Sequence, residues 1–185
     1  TVQRLYQSAS SFLKLLKAER DEDNNLSRYV ETPLVDLLPV DSGSYNIPMD
    51  VAFSKTGKVS YILAVNVEDL GNAVHFTPNL YRSVDTANTY ELLDWNPKTS
   101  NSSEQIVGVC TDFSGKVVYA LTVANTGSSN GYWYTASLYR STDRGNTFQL
   151  CSTHSLCSYG YIAGSTTYYN TGSALQRFVD IRYKP

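Results

Sequence analysis

The chain repeats itself. The segment Leu80-Tyr81-Arg82-Ser83-Val84-Asp85-Thr86-Ala87-Asn88-Thr89-Tyr90 returns as Leu138-Tyr139-Arg140-Ser141-Thr142-Asp143-Arg144-Gly145-Asn146-Thr147-Phe148, at a constant offset of 58 residues. A repeat of this length is one supersecondary unit stacked on a copy of itself. The preceding halves also match. Phe53-Ser54-Lys55-Thr56-Gly57-Lys58-Val59-Ser60-Tyr61-Ile62-Leu63-Ala64-Val65-Asn66 aligns with Phe113-Ser114-Gly115-Lys116-Val117-Val118-Tyr119-Ala120-Leu121-Thr122-Val123-Ala124-Asn125, the second copy being two residues shorter at the turn. Each unit reads as four elements: an apolar strand ending at a Phe-Ser turn, and a returning strand over Val59–Val65 or Val117–Val123. A polar loop over 66–79 or 125–135 follows, then a hairpin turning at the Ser-x-Asp segment.

Composition agrees with a β-rich chain. Of 185 residues, 15 are Tyr, and the charged fraction is only 17%; half-exposed strands favour such aromatics. A formal net charge of −2 predicts no general attraction to nucleic acid. No apolar run is long enough for a membrane-spanning helix. Position 1 is Thr rather than Met, which reads as a chain that is processed, trimmed or cut from something longer. The three cysteines, Cys110, Cys151 and Cys157, are an odd count; Cys151 and Cys157 are candidates for a small disulfide loop, with free thiols as the alternative. His75 and His154 stand apart from any Cys cluster, so neither a metal nor another cofactor is expected.

Three regions follow. Residues 1–25 read as an amphipathic helix, with Leu5, Phe12, Leu13 and Leu16 on one apolar face and lysines near its end. Those four residues are candidates for docking on a partner or on the chain's own surface. Residues 26–48 read as a connector, because Pro33, Pro39 and Pro48 disfavour long regular elements. Residues 49–185 hold the repeat: one unit at about 49–93, a second at about 106–150, and a remnant at 151–185.

The hairpin segment Ser141-x-Asp143-x-Gly145-x-Thr147-Phe148 resembles the Asp-box, the turn motif of sialidase-type and sortilin-type β-propellers. Ser83, Asp85, Thr89 and Tyr90 repeat it, with Ala87 in the glycine place. The residue types have physical reasons. Asp accepts from backbone N–H groups of its own turn, Ser and Thr add further bonds, and Gly allows positive φ. Ala87 predicts strain or a changed turn type, and so a looser first hairpin. The resemblance covers roughly residues 49–150. It implies a mainly β fold of two four-stranded antiparallel blades, a partial β-propeller; a β-sandwich is the alternative. It also implies that Asp85 and Asp143 build rim turns rather than catalyse. Tyr45-Asn46-Ile47-Pro48 stands where sialidases carry an aromatic-Arg-Ile-Pro motif, but Asn46 cannot clamp a carboxylate as an arginine does.

Propellers have about four to eight blades, so two leave open sheet edges that native proteins cover. The expected function is therefore non-enzymatic: a structural or interaction protein docking into a larger assembly, such as a virus particle or an extracellular surface complex. Its partners would be other proteins or copies of itself. A carbohydrate-binding module is a second reading, with Tyr132, Trp133 and Tyr134 as a glycan-stacking loop; alternatively that alternation simply opens the next strand. A third is a fragment of a sialidase-like hydrolase.

Overall fold

The computed structural model describes residues 14–23, 25–39, 43–71, 74–95, 97, 104–125, 131–161 and 168–170. Among these residues the chain is mainly β, with a single helical turn. A hairpin of β1 (Lys14–Arg20) and β2 (Leu26–Pro33) leads into α1 (Leu34–Leu37). Four strands, β3 (Ser44–Phe53), β4 (Ser60–Asp69), β5 (Val74–Ser83) and β6 (Glu91–Leu92), form the first sheet in chain order. The second sheet runs β7 (Gln105–Thr111), β8 (Val118–Asn125), β9 (Gly131–Ser141), β10 (Gln149–Tyr161) and β11 (Tyr168–Asn170), also in chain order. Every neighbouring pair is antiparallel, so both sheets are meanders.

The expected N-terminal helix is corrected over its described part. Lys14–Arg20 is a strand, with Leu16 opposite Glu31. Where the helix is expected to run on to residue 25, the chain makes a hairpin turn: Asp21 Oδ1 accepts from the backbone N–H of Asp23 at 3.1 Å and of Asn25 at 2.8 Å. Beyond it, Tyr29, Val30 and Thr32 give β2 the residue types that pair well in a sheet. Leu5, Phe12 and Leu13 lie outside the described residues. The 26–48 connector likewise holds more regular structure than its prolines predict. Pro33 ends β2, and Pro48 sits inside β3 next to a bulge, where the register shifts between Pro48 and Asp50. Proline's missing donor is tolerated at such irregular places. The loop expected over 66–79 is also mostly strand, because β4 and β5 pair continuously from Ser60↔Ser83 to Asp69↔Val74.

The ladders show that the repeat needs no gap. Val51 pairs with Ile62 and Val109 with Ala120, while Ser54 N–H donates to the Val59 carbonyl and Asp112 N–H to that of Val117. Every one of these contacts recurs at the offset of 58. Gly57 therefore matches Gly115, Lys58 matches Lys116 and Tyr61 matches Tyr119, while Phe53 matches Thr111 rather than Phe113. The same offset reaches back into the connector, where Leu34-Val35-Asp36-Leu37-Leu38-Pro39 corresponds to Leu92-Leu93-Asp94-Trp95-Asn96-Pro97.

Alternation along β4 sends Tyr61 and Leu63 to one face and Ile62 and Ala64 to the other, and all four are buried. The Tyr61 face, with Ala52 and Leu80, packs against Ile106, Val109, Val118 and Ala120 of the second sheet, with Trp95 and Phe148 at the edge of the cluster. Ile62, Ala64, Tyr81, Ala87 and Tyr90 form a second cluster capped by Leu37 and Leu38. Leu121 and Ala136 start a third on the far face of the second sheet.

One equivalent pair differs in kind. In the first sheet the hydroxyls of Ser60 and Tyr90 hydrogen-bond at 2.8 Å within the core. Their counterparts Val118 and Phe148 are wholly apolar. Tyr90→Phe leaves the Ser60 hydroxyl buried without a partner and is expected to cost about 1–2 kcal/mol. Adding Ser60→Val, which copies the second sheet, should recover most of that loss in urea unfolding. Simple additivity of the two single substitutions would show that the pair is not coupled.

Candidate functional site

Two sets of polar contacts recur at the repeat offset, the Ser-x-Asp turns and a buried polar knot at the head of each sheet; a third set forms the seam between the sheets.

The two turns are built alike. In the second, Ser141 Oγ donates to Asp143 Oδ1 at 2.7 Å, Thr147 N–H to Asp143 Oδ1 at 2.9 Å and Thr147 Oγ1 to Asp143 Oδ2 at 2.7 Å. Gly145 N–H donates to Ser141 Oγ at 2.8 Å. In the first, Ser83 donates to Asp85 Oδ1 at 2.7 Å, Thr89 N–H to Oδ1 at 3.0 Å and Thr89 Oγ1 to Oδ2 at 2.6 Å. Each turn also reaches the adjacent hairpin of its own sheet, through Thr86 N–H to the Lys58 carbonyl and Arg144 N–H to that of Lys116. Both oxygens of each carboxylate thus accept hydrogen bonds from their own turn.

The strain expected at Ala87 is present, while the first turn keeps the conformation and hydrogen bonds of the second. Ala87 takes φ 59°, following Thr86 at 63°, just as Gly145 at 84° follows Arg144 at 61°. The left-handed region costs a non-glycine residue about 1–2 kcal/mol. In return the first turn gains bonds: Asn88 N–H donates to Asp85 Oδ1 at 3.0 Å and Asn88 Nδ2 to the Asp85 carbonyl at 2.6 Å. In the second turn the corresponding Asn146 N–H reaches only the Asp143 carbonyl, at 3.5 Å. Hydrogen bonds from the Thr147 side chain and backbone and from Ser141 lower the Asp143 carboxyl to about 2. The matching bonds from Thr89 and Ser83, plus that from Asn88, hold Asp85 lower still.

The buried knots centre on Asn46 and Glu104, which stand at the repeat offset of 58. Asn46 Oδ1 accepts from Tyr81 Oη at 3.1 Å and from Asn66 Nδ2 at 3.3 Å, and Asn46 Nδ2 donates to the Pro39 carbonyl at 3.0 Å. Asn46 is fully buried and pins the connector to the first sheet. In the second sheet Glu104 Oε1 accepts from Tyr139 Oη at 3.1 Å and from Thr122 Oγ1. Burial and the adjoining Glu104 charge push Tyr139 up to about 12. Glu104 was not among the residues singled out from sequence; its constant offset from Asn46 is the signal that identifies it.

The seam joins the first sheet to the second through five hydrogen bonds. Tyr61 Oη, buried and pushed up to about 12 by desolvation, donates to the Gly115 carbonyl at 2.7 Å. Lys55 N–H donates to the Phe113 carbonyl at 2.9 Å. Val109 N–H donates to Asp50 Oδ2 at 3.0 Å. Arg82, paired with Glu91 through Nη2 at 2.6 Å, extends Nη1 to the Arg144 carbonyl at 2.6 Å and to Asn146 Oδ1 at 2.8 Å. The first sheet thereby grips the Asp-turn of the second. The fit is tight: a Cβ on Gly115 would lie 2.5 Å from Val59 Cβ, and one on Gly145 would lie 2.7 Å from Leu93 Cδ1.

Tyr132, Trp133 and Tyr134 lie within β9, opposite Tyr159, Ser158 and Cys157 of β10, so their backbone is strand. Cys151 is a free thiol. It shares β10 with Cys157, six positions away, and at about 3.3 Å per residue an extended strand separates them by roughly 20 Å, well beyond disulfide reach. The expected small disulfide loop is therefore corrected to a free Cys151.

Gly145→Ala should destabilise the chain by about 1–3 kcal/mol in chemical unfolding, because it adds a clash with Leu93 to a positive φ. Ala87→Gly removes a strained side chain and a buried methyl together, so its net effect should stay within about 1 kcal/mol. The turns also set an acid limb. Both carboxyls have depressed native pKa values, so their contribution is complete above about pH 4 and is lost as pH falls through about 2 for Asp143. Asp143→Asn should flatten the decline of unfolding midpoint with falling pH over that window, read by circular dichroism.

No protein-family model, no curated protein and no solved structure matches this chain.

Proposed function

We propose that this chain is a non-enzymatic structural and interaction protein that docks through the outer face of its first sheet into a larger assembly. One contrast between equivalent positions carries the reading. Val109 and Thr111 of the second sheet are 2% and 7% exposed, because the first sheet packs over them. Their first-sheet counterparts Val51 and Phe53 are 39% and 42% exposed. The same strand positions that receive a neighbouring sheet in one unit are open in the other. Met49 and Leu92, at 63% and 52%, extend the apolar surface. Adjacent exposed apolar side chains of this kind mark contact surfaces. The partner they suit presents an apolar sheet face, since a sheet face covers the equivalent positions in the second unit.

A photo-crosslinking residue at Phe53 tests this in the source material. It should yield a discrete protein adduct, whereas the same group at exposed Thr142 should not. Val51→Ser with Phe53→Ser should abolish binding of that partner while changing the unfolding free energy by no more than about 1 kcal/mol, as surface changes usually do. Failure of position 53 to give any adduct would sink the reading.

A further inference from the structure

The seam contacts are not unique to the seam. Tyr61 matches Tyr119 and Arg82 matches Arg140, so both side-chain donors of the first sheet recur on the second. The acceptors recur in the other direction: Gly115 matches Gly57, Arg144 matches Thr86 and Asn146 matches Asn88. The chain therefore carries a second set of donors on the far face of its second sheet and a second set of acceptors on the outer side of its first.

Both sets are accessible. Arg140 is exposed and Tyr119 half-buried, and neither side chain has a polar partner among the described residues. Phe113, in the turn between β7 and β8, is 53% exposed, although its carbonyl already serves Lys55. At the other end Thr86 and Asn88 are exposed. A Cβ on Gly57 would meet nothing within 4 Å, whereas on Gly115 it would strike Val59. Gly57 is thus an unfilled copy of a position that is tightly packed at the seam. Val51 and Phe53 are open on the same side.

We infer that two copies of this chain join head to tail. The far face of one copy's second sheet meets the outer face of the next copy's first sheet: Tyr119 Oη donates to the Gly57 carbonyl and Arg140 to the Thr86 carbonyl and Asn88 Oδ1. The contact is a second instance of the seam, made between molecules rather than within one. This inference rests on the interaction reading above and names its partner. The match is incomplete at two points: Gly108 stands where Asp50 accepts from Val109, so the intermolecular contact lacks that hydrogen bond, and Gln149 stands where Glu91 pairs with Arg82, so Arg140 lacks that ion pair. The surface is heterologous, so it propagates until a ring closes; about four to eight sheets correspond to about two to four copies.

Light scattering on the 185-residue chain across a concentration series tests this. The expected result is reversible growth in mass by whole copies. Arg140→Ala and Asn88→Ala damage opposite ends of the contact, so each alone should shift the midpoint concentration at least tenfold upward. Mixed in equal amounts they retain one intact pairing, donors from the Asn88→Ala chain and acceptors from the Arg140→Ala chain. The mixture should therefore form a dimer that neither variant forms by itself. Tyr119→Phe, the most conservative change, should weaken association in the same direction while leaving the monomer's unfolding midpoint in place. A chain that stays monomeric at every concentration overturns the inference, as does association that both variants retain or a mixture that does not complement. An adduct at position 53 to a different protein, with no self-association, would sink this inference and leave the interaction reading standing.

Discussion

Each sheet has two faces, and a four-stranded meander cannot bury both by itself. That constraint organises everything else. Tyr61 shows how it is met: its ring fills the inter-sheet core while its hydroxyl finds the one carbonyl, Gly115, that keeps it from being stranded there. The glycine is needed on the receiving side because the two backbones come too close for a side chain. The other seam contacts surround this point with backbone and charged groups at the rim, where Arg82 is held in place by Glu91 before it reaches across. Burial supplies most of the driving force, and the polar contacts fix which way the sheets face.

The Asp-turns serve this arrangement indirectly. A carboxylate that accepts from several groups of its own loop makes a rigid tip, and a rigid tip presents fixed carbonyls to a neighbour. Arg82 uses that property, reading the backbone oxygen of Arg144 and the amide of Asn146 rather than the Asp143 charge itself. The aspartate is a builder of the surface that is recognised.

How much of this could be read in the sequence depended on range. The Asp-turns were legible because Ser, Asp, Gly and Thr act on groups within four residues of themselves. The N-terminal strand was not, because Val2 to Leu16 satisfies a helical period and the deciding partner, Leu26–Pro33, lies across a turn. Identical Phe-Ser dipeptides drew the alignment out of register, although Gly57, Lys58 and Tyr61 already agreed with the single offset. The knots and the seam escaped notice for a different reason. Asn46 and Glu104 are unlike in type, and Arg82 acts on residues more than sixty positions away, so only the ladders reveal what they do.

Two units of the same fold in one chain invite each other's strands, and tandem repeats misassemble this way. The Ser60–Tyr90 pair works against it. A hairpin exchanged between sheets would set the Tyr90 hydroxyl against Val118, and Ser60 against Phe148, stranding a buried polar group in each. Correct pairing satisfies both hydroxyls in one sheet and has none to satisfy in the other. A difference that looks like drift between copies therefore acts as an address, telling each hairpin which sheet is its own.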